Sequence, residues 1–307
     1  MAAGRSADIS EVRDVGRRSA PTQRVVQVLD YVVARRGRRA GLSEMARDLG
    51  LAKPTCLGIL TELTAAGYLT RDPRTREYGP GPALIAAGRV AQQSFSIAAL
   101  AHPELELLSA TYGTTCTASA VVGERISVLD SAGPALVQVG ATYRFAPPVG
   151  LMYVLWDTEA AFDAWLGTTP TVPLRQDETL LRRIVAECRD RGYLVESMTG
   201  AGRQLYSLLA GVAGHDLPDQ LRTAVAELVT TLGERVYLGS DLRPRKEHPV
   251  SLLAAPTYDA DGRQQLVLTM YVGKPITGAE ITRRGAALVA AADAVTAAAG
   301  GRPPANR

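Results

Sequence analysis

Polar and apolar positions between residues 42 and 66 fall into two helical patterns separated by a short break. In the first, Met45, Ala46 and Leu49 form an apolar face, Glu44 and Asp48 keep the opposite side polar, and Ser43 is placed to cap the N-terminus. Gly50, Leu51 and Ala52 supply a turn. In the second, Cys56, Ile59, Leu60 and Leu63 recur at i, i+3, i+4 and i+7, the spacing of one buried stripe. Pro54 suits the first position of that helix, where a missing N–H costs nothing. Lys53, Thr55, Leu57, Gly58, Thr61 and Glu62 point away from the stripe. Such a pair is either an αα-hairpin of a helical domain or a helix-turn-helix, which packs one face and offers the other to the major groove of DNA.

The flanks bear on that choice. Residues 21–35 carry a helical stripe of Val25, Val28, Leu29 and Val32, and Arg35, Arg36, Arg38 and Arg39 follow. Those cations either complement the C-terminal end of the helix dipole or clamp a phosphate backbone. After the second helix Gly67 stops the chain in the manner of a C′ glycine. Residues 68–78 then read as a small hairpin, with Leu69 and Tyr78 flanking the Asp72-Pro73-Arg74 turn and with Arg71, Arg74 and Arg76 at its tip. A basic hairpin placed after a helix-turn-helix is a wing, able to reach phosphates or the minor groove.

Further along, residues 82–95 form an Ala-rich helical pattern, His102-Pro103 interrupts it as a capping or linker segment, and residues 104–112 resume a helix ended by Gly113. From Thr114 the period changes to two. Residues 116–122 and 125–130 read as a hairpin around Gly123-Glu124, and 136–142 as a third strand. Pro148 opens a helix to Trp156, Thr158 caps another to Leu166, and residues 178–191 form an amphipathic helix with Leu181, Ile184, Val185 and Cys188. Residues 192–195 lead into a strand. Residues 218–232 carry Leu221, Val225, Leu228, Val229 and Leu232 at helical spacing. Residues 250–255 and 265–272 are strands joined by a turn at 259–262, and Thr277 with Glu280 boxes the start of a final helix to about Ala299. Strands among helices without βαβ regularity specify an α+β fold.

Length and charge narrow the picture. The 307 residues suit two domains, and a chain 46% hydrophobic and 21% charged is globular. The sequence has no apolar run of about 18 residues, the length a membrane span needs, and residues 1–20 lack the apolar core of a secretory signal, reading instead as a disordered arm. Cys56, Cys116 and Cys188 lie too far apart for metal spacing and read as buried thiols in a reducing cytosol. His102, His215 and His248 form no cluster. Residues 17–80 hold 12 Lys and Arg against 6 Asp and Glu, a net of +6, whereas residues 81–307 have 20 against 22, a net of −2. The basic excess therefore surrounds the helix-turn-helix, where phosphate binding wants it, although a solvated basic face gives the same count.

The chain resembles the IclR family of bacterial transcription regulators. The resemblance is carried by TQRVVQVLD at 22–30, LSEMARDLGLAKPT at 42–55, LTELTAAGYL at 60–69 and YGPGPAL at 78–84, and continues in RGYLVE at 191–196 and AAPTYDADGR at 254–263. It covers most of the chain from residue 21 and is patchy between 130 and 250. Between the arm at 1–20 and a tail at 301–307, it implies a winged helix-turn-helix at 21–80, a linker helix at 81–97 and a GAF-like effector-binding and oligomerisation domain at 98–300. It also implies a dimer or a dimer of dimers. The chain departs from the family at three places: Gly58 stands where an Arg or another long polar residue is usual, Phe145-Ala-Pro-Pro replaces a polar or His-containing segment, and Leu252 replaces a Cys. The stretch between 200 and 248 is also longer than the family pattern, and would either cover a pocket or contact a subunit.

No catalytic signature stands out: there is no Gly-x-Ser-x-Gly, no phosphate loop and no His/Cys ligand spacing, and Asp259 and Asp261 sit in a turn where Asp is structurally at home. The chain is thus expected to be no enzyme and to need no cofactor or metal. DNA contacts are expected from Arg24, Arg38, Arg39, Ser43, Lys53, Pro54, Thr55, Leu57, Gly58, Arg71, Arg74 and Arg76, with base reading leaning on Thr55 and on Leu57, the latter against a thymine methyl, and the wing and the Arg35 to Arg39 run carrying more of the affinity. On the family reading, effector contacts are expected at Val149, Gly150, Leu151, Leu252 and Met270, where residues 147–151 would offer helix-terminal N–H groups to a carboxylate; the plain alternative is that they are core. The expectation is a cytoplasmic regulator, by default a repressor, of double-stranded operator DNA under a small organic acid or apolar metabolite. Two other classes remain: a DNA-binding protein whose C-terminal domain only oligomerises, and a small-acid enzyme with a vestigial helix-turn-helix.

Overall fold

The computed structural model describes residues 19–35, 37–94, 96–134, 137, 139–147, 149–170, 175–197, 231–232 and 236–304. The chain divides into two units, Met1–Ser94 and Phe95–Arg307.

The first unit contains α1 (Ala20–Ala34), α2 (Leu42–Asp48), α3 (Lys53–Ala65), β1 (Leu69–Arg71), β2 (Tyr78–Pro80) and α4 (Pro82–Ser94). Its core is the set that the periodicity selects: Val28 and Val32 from α1, Met45 and Ala46 from α2, Cys56, Leu60 and Leu63 from α3, and Leu69 and Tyr78 from the hairpin. Gly67 adopts φ +77° just past α3, a conformation that L side chains resist, and so turns the chain into β1. The two strands pair antiparallel, and Ala40 bridges Tyr78 on the outer side of the hairpin. One cap differs from expectation. Gly41, in extended backbone, is the N-cap of α2, and Ser43 lies inside the helix, exposed, with no capping bond. Leu60 is fully buried at the centre of this core. Leu60→Ala is therefore expected to destabilise the unit by about 2–5 kcal/mol, read as a lowered midpoint in urea.

The second unit contains α5 (Ser96–Tyr112), β3 (Cys116–Val122), β4 (Arg125–Ala132), β5 (Thr142–Arg144), α6 (Glu159–Leu166), β6 (Arg175–Gln176), α7 (Glu178–Arg191), β7 (Leu194–Glu196), β8 (Thr231–Leu232), β9 (Glu247–Tyr258), β10 (Gln264–Thr277) and α8 (Gly278–Ala298). Six strands form one antiparallel sheet in the order β5-β4-β3-β10-β9-β7. One face packs on α5 and α8 through Leu105, Leu108, Leu253, Leu268, Met270, Ile281 and Leu288. The other packs on the 151–156 segment, α6 and α7 through Trp156, Phe162, Trp165, Leu181, Ile184, Leu252 and Ala254. This is an α+β fold. Among the described residues, no helix is long and apolar enough to cross a membrane.

Thr158 caps α6, Asp177 caps α7 and Thr277 caps α8, each accepting a bond from a backbone N–H three residues on. Other expectations give way. Pro103 does not interrupt a helix but sits within α5, because Ala98, Ala101, Leu105 and Leu108 are buried on both sides of it and their burial outweighs a proline cost of about 3 kcal/mol. His102 is accordingly a mid-helix residue, with Nδ1 2.9 Å from Asp130 Oδ2 and Nε2 3.4 Å from Glu106 Oε1. The third strand begins at Thr142, not Leu136, because Gly140 at φ +85° turns the chain just before it; Leu136 itself lies outside the described residues. The helix expected from Pro148 to Trp156 is only a single 3-10 turn, Leu151–Tyr153, because Gly150 at φ +110° breaks any helical path into it. Of the helix expected over 218–232, only 231–232 are described, and they form a strand parallel to β6.

Candidate nucleic-acid interface and ligand face

In the first unit, packing consumes one side of α3 and leaves the other in solvent. Cys56, Leu60 and Leu63 are buried and Thr55 is half-buried. Lys53, Pro54, Leu57, Gly58, Thr61 and Glu62 are exposed. Leu57 keeps 44% of its surface, and a Cβ built at Gly58 would meet nothing within 4 Å. The Thr61 hydroxyl donates to the Leu57 carbonyl at 2.8 Å, so its proton is spent within the helix.

The hairpin tip is tied by its own hydrogen bonds. Asp72 accepts from the backbone N–H groups of Arg74 (2.8 Å) and Thr75 (3.0 Å), which holds its carboxyl below the usual carboxylate range. Arg76 completes the turn at φ +61°. Arg74 and Arg76 project from it exposed, whereas Arg71 lies over the Tyr78 ring at 5.6 Å. Arg39 lies along the same hairpin: its Cγ is 3.2 Å from where a Gly79 Cβ would stand, and its Nη2 reaches Thr70 Oγ1 at 3.5 Å. Arg24 and Arg38 are exposed on α1 and in the loop after it.

The arginine run does not act as one element. Arg35 donates to Glu44 at 2.7 Å and to the Tyr31 hydroxyl at 2.9 Å, and Tyr31 donates to Asp48 at 2.7 Å. Burial and then that bond to Asp48 push the Tyr31 phenol up, while the same bond pulls the Asp48 carboxyl down. Arg35 thus ties α1 to α2 and is not a clamp on DNA. Arg36 lies outside the described residues.

In the second unit Leu151 and Leu252 are buried in the layer that holds Trp165, and Val149 is buried as well. Trp165 Nε1 donates to the Val149 carbonyl at 3.3 Å, and Gly150 packs directly under the Phe145 ring. Among the described residues here, Leu151 opens only a 3-10 turn and not the α-helix on which the carboxylate reading relied. Met270 is not with the others. Its side chain faces the opposite side of the sheet, in the core with α5 and α8, where Arg284 Nη1 approaches its sulfur at 4.0 Å. Strand alternation explains this: Tyr271, not Met270, is paired with Leu252 and shares its face.

That face carries polar groups. Thr117 pairs with Thr269 and Ser119 with Val267 across β3 and β10, and Glu196 pairs with Leu252 across β7 and β9. The Ser119 hydroxyl is 2.6 Å from the Tyr153 hydroxyl. Burial pushes the Tyr271 phenol up to about 12, with neighbouring Tyr143 adding to it and a Thr117 hydrogen bond opposing it. Burial also raises the Tyr143 phenol. Cys116 and Cys188 are buried thiols, raised by burial to about 12 and about 11.

A sequence description of the IclR helix-turn-helix domain matches residues 21–73, the residues that build the α2–α3 pair and its supporting α1. Residues 21–73 are an IclR helix-turn-helix domain. The chain is 47% identical over 51 residues to the glycerol operon regulatory protein of Streptomyces griseus, which is 17% of this chain and 20% of that protein. The match thus spans only a fifth of that curated relative. Across nearly the whole chain, the fold is that of IclR-type regulators. It superposes on an IclR transcriptional regulator from Alicyclobacillus acidocaldarius with a TM-score of 0.58 at 23% identity, covering 92% of this chain and 100% of that one. It superposes on an IclR homolog from Microbacterium hydrocarbonoxydans, solved in complex with 4-hydroxybenzoate, with a TM-score of 0.57 at 16% identity, covering 91% and 99%.

Within the first unit, the structure places Lys53, Pro54, Leu57 and Gly58 on the exposed side of α3, Arg71, Arg74 and Arg76 on the hairpin, and Arg24, Arg38 and Arg39 around α1. Thr55 is partly withdrawn into the fold. The sheet face shared with Leu252 also carries Thr117, Ser119, Tyr143, Tyr153, Glu196, Thr269 and Tyr271, none of which the sequence singled out. The signal was available: hydroxyl residues at alternate positions of β3 and β10 mark a face that is not purely apolar.

Proposed function

We propose that this IclR-type chain is a sequence-specific DNA-binding repressor that works in the cytoplasm as a homo-oligomer and is released from its operator by a small-molecule effector. The observation that carries the DNA reading is the free side of α3, which the fold does not use and which is flanked by exposed cations: Lys53 on the helix, Arg74 and Arg76 on the wing, and Arg24 and Arg38 beside α1. Lys53, Arg24, Arg38, Arg74 and Arg76 form no ion pair with any described residue. A cation left in this state gains most by neutralising a phosphate and releasing its counterion.

Operators read by a helix-turn-helix are met by two copies, with half-sites about 34–36 Å apart. Exposed Val26 and Val33, seven residues apart on α1, and Ile85 on α4 support such pairing within the first unit, since an apolar stripe gains by burial against a second copy. The effector site is placed on the face of the sheet that carries Leu252, with Val149, Gly150 and Leu151 at its edge and the hydroxyls of Thr117, Ser119, Tyr143, Tyr153 and Tyr271 as polar anchors. An apolar site with a few fixed polar groups is what a small ligand requires. The 4-hydroxybenzoate held by the Microbacterium protein makes a phenolic acid the first compound to try. Regulation then follows from a difference in the effector's affinity for the DNA-bound and released forms.

The test is an electrophoretic mobility shift with the DNA upstream of the protein's own gene, at two salt concentrations, followed by addition of carboxylic acids beginning with 4-hydroxybenzoate. The expected result is a discrete complex that weakens steeply with salt and is dissolved by one of the acids. Failure to shift that DNA or any fragment of the surrounding genome counts against the DNA reading. A salt-sensitive complex that no acid dissolves, together with no ligand-induced change in melting temperature, confines the second unit to oligomerisation.

A further inference from the structure

We propose that α3 reads its operator chiefly through the 5-methyl groups of thymine, with Leu57 as the reading side chain and Gly58 as the gap that lets the helix backbone approach the bases. The inference rests on the DNA-binding reading above and goes beyond it to the code that the helix recognises.

Three observations lead here. The N-terminal residues of a recognition helix are the ones that meet base edges, and on α3 these are Lys53, Pro54, Leu57 and Gly58. Of these, Lys53 is a point charge at the helix start, suited to a phosphate, and Pro54 has no donor. Leu57 is the one large exposed apolar side chain on that stretch, 44% accessible and with no polar atom. Bidentate reading takes Arg or Lys for guanine and Asn or Gln for adenine, and between residues 53 and 65 the one such side chain is Lys53, at the very start of the helix. An apolar side chain in a major groove finds one apolar partner on the base edges, the thymine methyl.

Gly58 is the second observation. It lies in the interior of α3 and is not among the positive-φ glycines. A Cβ there would meet nothing within 4 Å, so the fold gives no reason for its absence. Yet glycine inside an exposed helix is less stable than alanine. What the fold does not require, a close partner can: backbone without a side chain is what allows near approach to a ligand. The third observation is that Thr61 has its hydroxyl proton on the Leu57 carbonyl and Thr55 is half-buried, so Thr61 meets a base edge only as an acceptor and Thr55 offers only part of its side chain.

The experiment has two arms. Full-length protein first selects duplexes from a random library. Each thymine of the selected site is then replaced in turn by uracil, which removes only the methyl. Loss of one buried methyl is expected to weaken binding by roughly fourfold at one or two thymines in each half-site, and the same replacement should cost Leu57→Ala nothing. In the second arm, Gly58→Ala should raise the melting temperature of the first unit while weakening binding to the selected site, two effects of opposite sign. Uracil without effect at every position, or an equal effect on the wild type and on Leu57→Ala, overturns the role of Leu57. Gly58→Ala that binds as tightly as the wild type overturns the role of Gly58. If the library yields no enriched duplex, the DNA-binding reading itself falls with the inference, whereas enrichment without a uracil effect defeats the inference alone.

Discussion

Changing Lys53, Arg38 and Arg74 together to alanine is expected to lower affinity for the operator roughly a hundredfold at physiological salt. The slope of log K against log salt should shrink by about 2.7. The three side chains lie on three different elements, α3, the loop after α1 and the wing tip, and each is exposed. Each phosphate neutralised adds about 0.9 to the slope, so three lost contacts give the figure directly. The loss should be uniform across DNA sequences, because phosphate contacts position a protein without reading bases. Parallel titrations on the operator and on unrelated DNA, at several salt concentrations, check both statements. An unchanged slope would remove these residues from the interface. As an internal control, Arg35→Ala should act through stability instead, since Arg35 is held by Glu44 and Tyr31.

The second large effect is expected in the other unit. Gly150→Ala should destabilise it by about 3 kcal/mol. The residue sits at φ +110°, where an L side chain is strained. The added Cβ would also stand 2.7 Å and 2.9 Å from Phe145 ring carbons and 3.2 Å from Trp165 Nε1. Phe145 and Trp165 pack against each other with their ring centres 6.5 Å apart, so neither ring can yield without disturbing its partner. In a unit of this size the loss corresponds to a fall in melting temperature of about 6–12 °C. Calorimetry of the full-length protein should show it, and an unshifted transition would mean that the 145–151 segment is looser than its packing indicates.

Much of the first unit was legible because its signals are local. The i, i+3, i+4, i+7 stripe of α3, the glycine stop at Gly67 and the polar turn at Asp72 each depend on a few neighbouring residues, and the hairpin followed from them. The Ala40–Tyr78 bridge was not legible, since pairing across 38 positions leaves no periodic trace. Pro103 misled for a related reason: a local rule against proline in helices lost to burial of α5 along its whole length. In the second unit the caps of α6 and α8 could be read, while Gly150 could not. A glycine announces conformational freedom but not which conformation, and only the ring of Phe145 above it shows why a side chain is excluded. Met270 illustrates the remaining gap. Choosing a ligand contact one residue away from Tyr271 moves it to the opposite face of the sheet, and nothing short of the strand register decides between them.

The central claim, that two copies of the IclR domain seat α3 in successive major grooves of a specific duplex, is met most directly by hydroxyl-radical footprinting on a site selected from a random library. The account predicts two protected stretches on one face of the duplex, centred one helical turn apart at about 34–36 Å or a multiple of it, both lost on changing Lys53, Arg38 and Arg74 to alanine. Protection spread evenly along any DNA, or a single protected stretch unaffected by those substitutions, would contradict it.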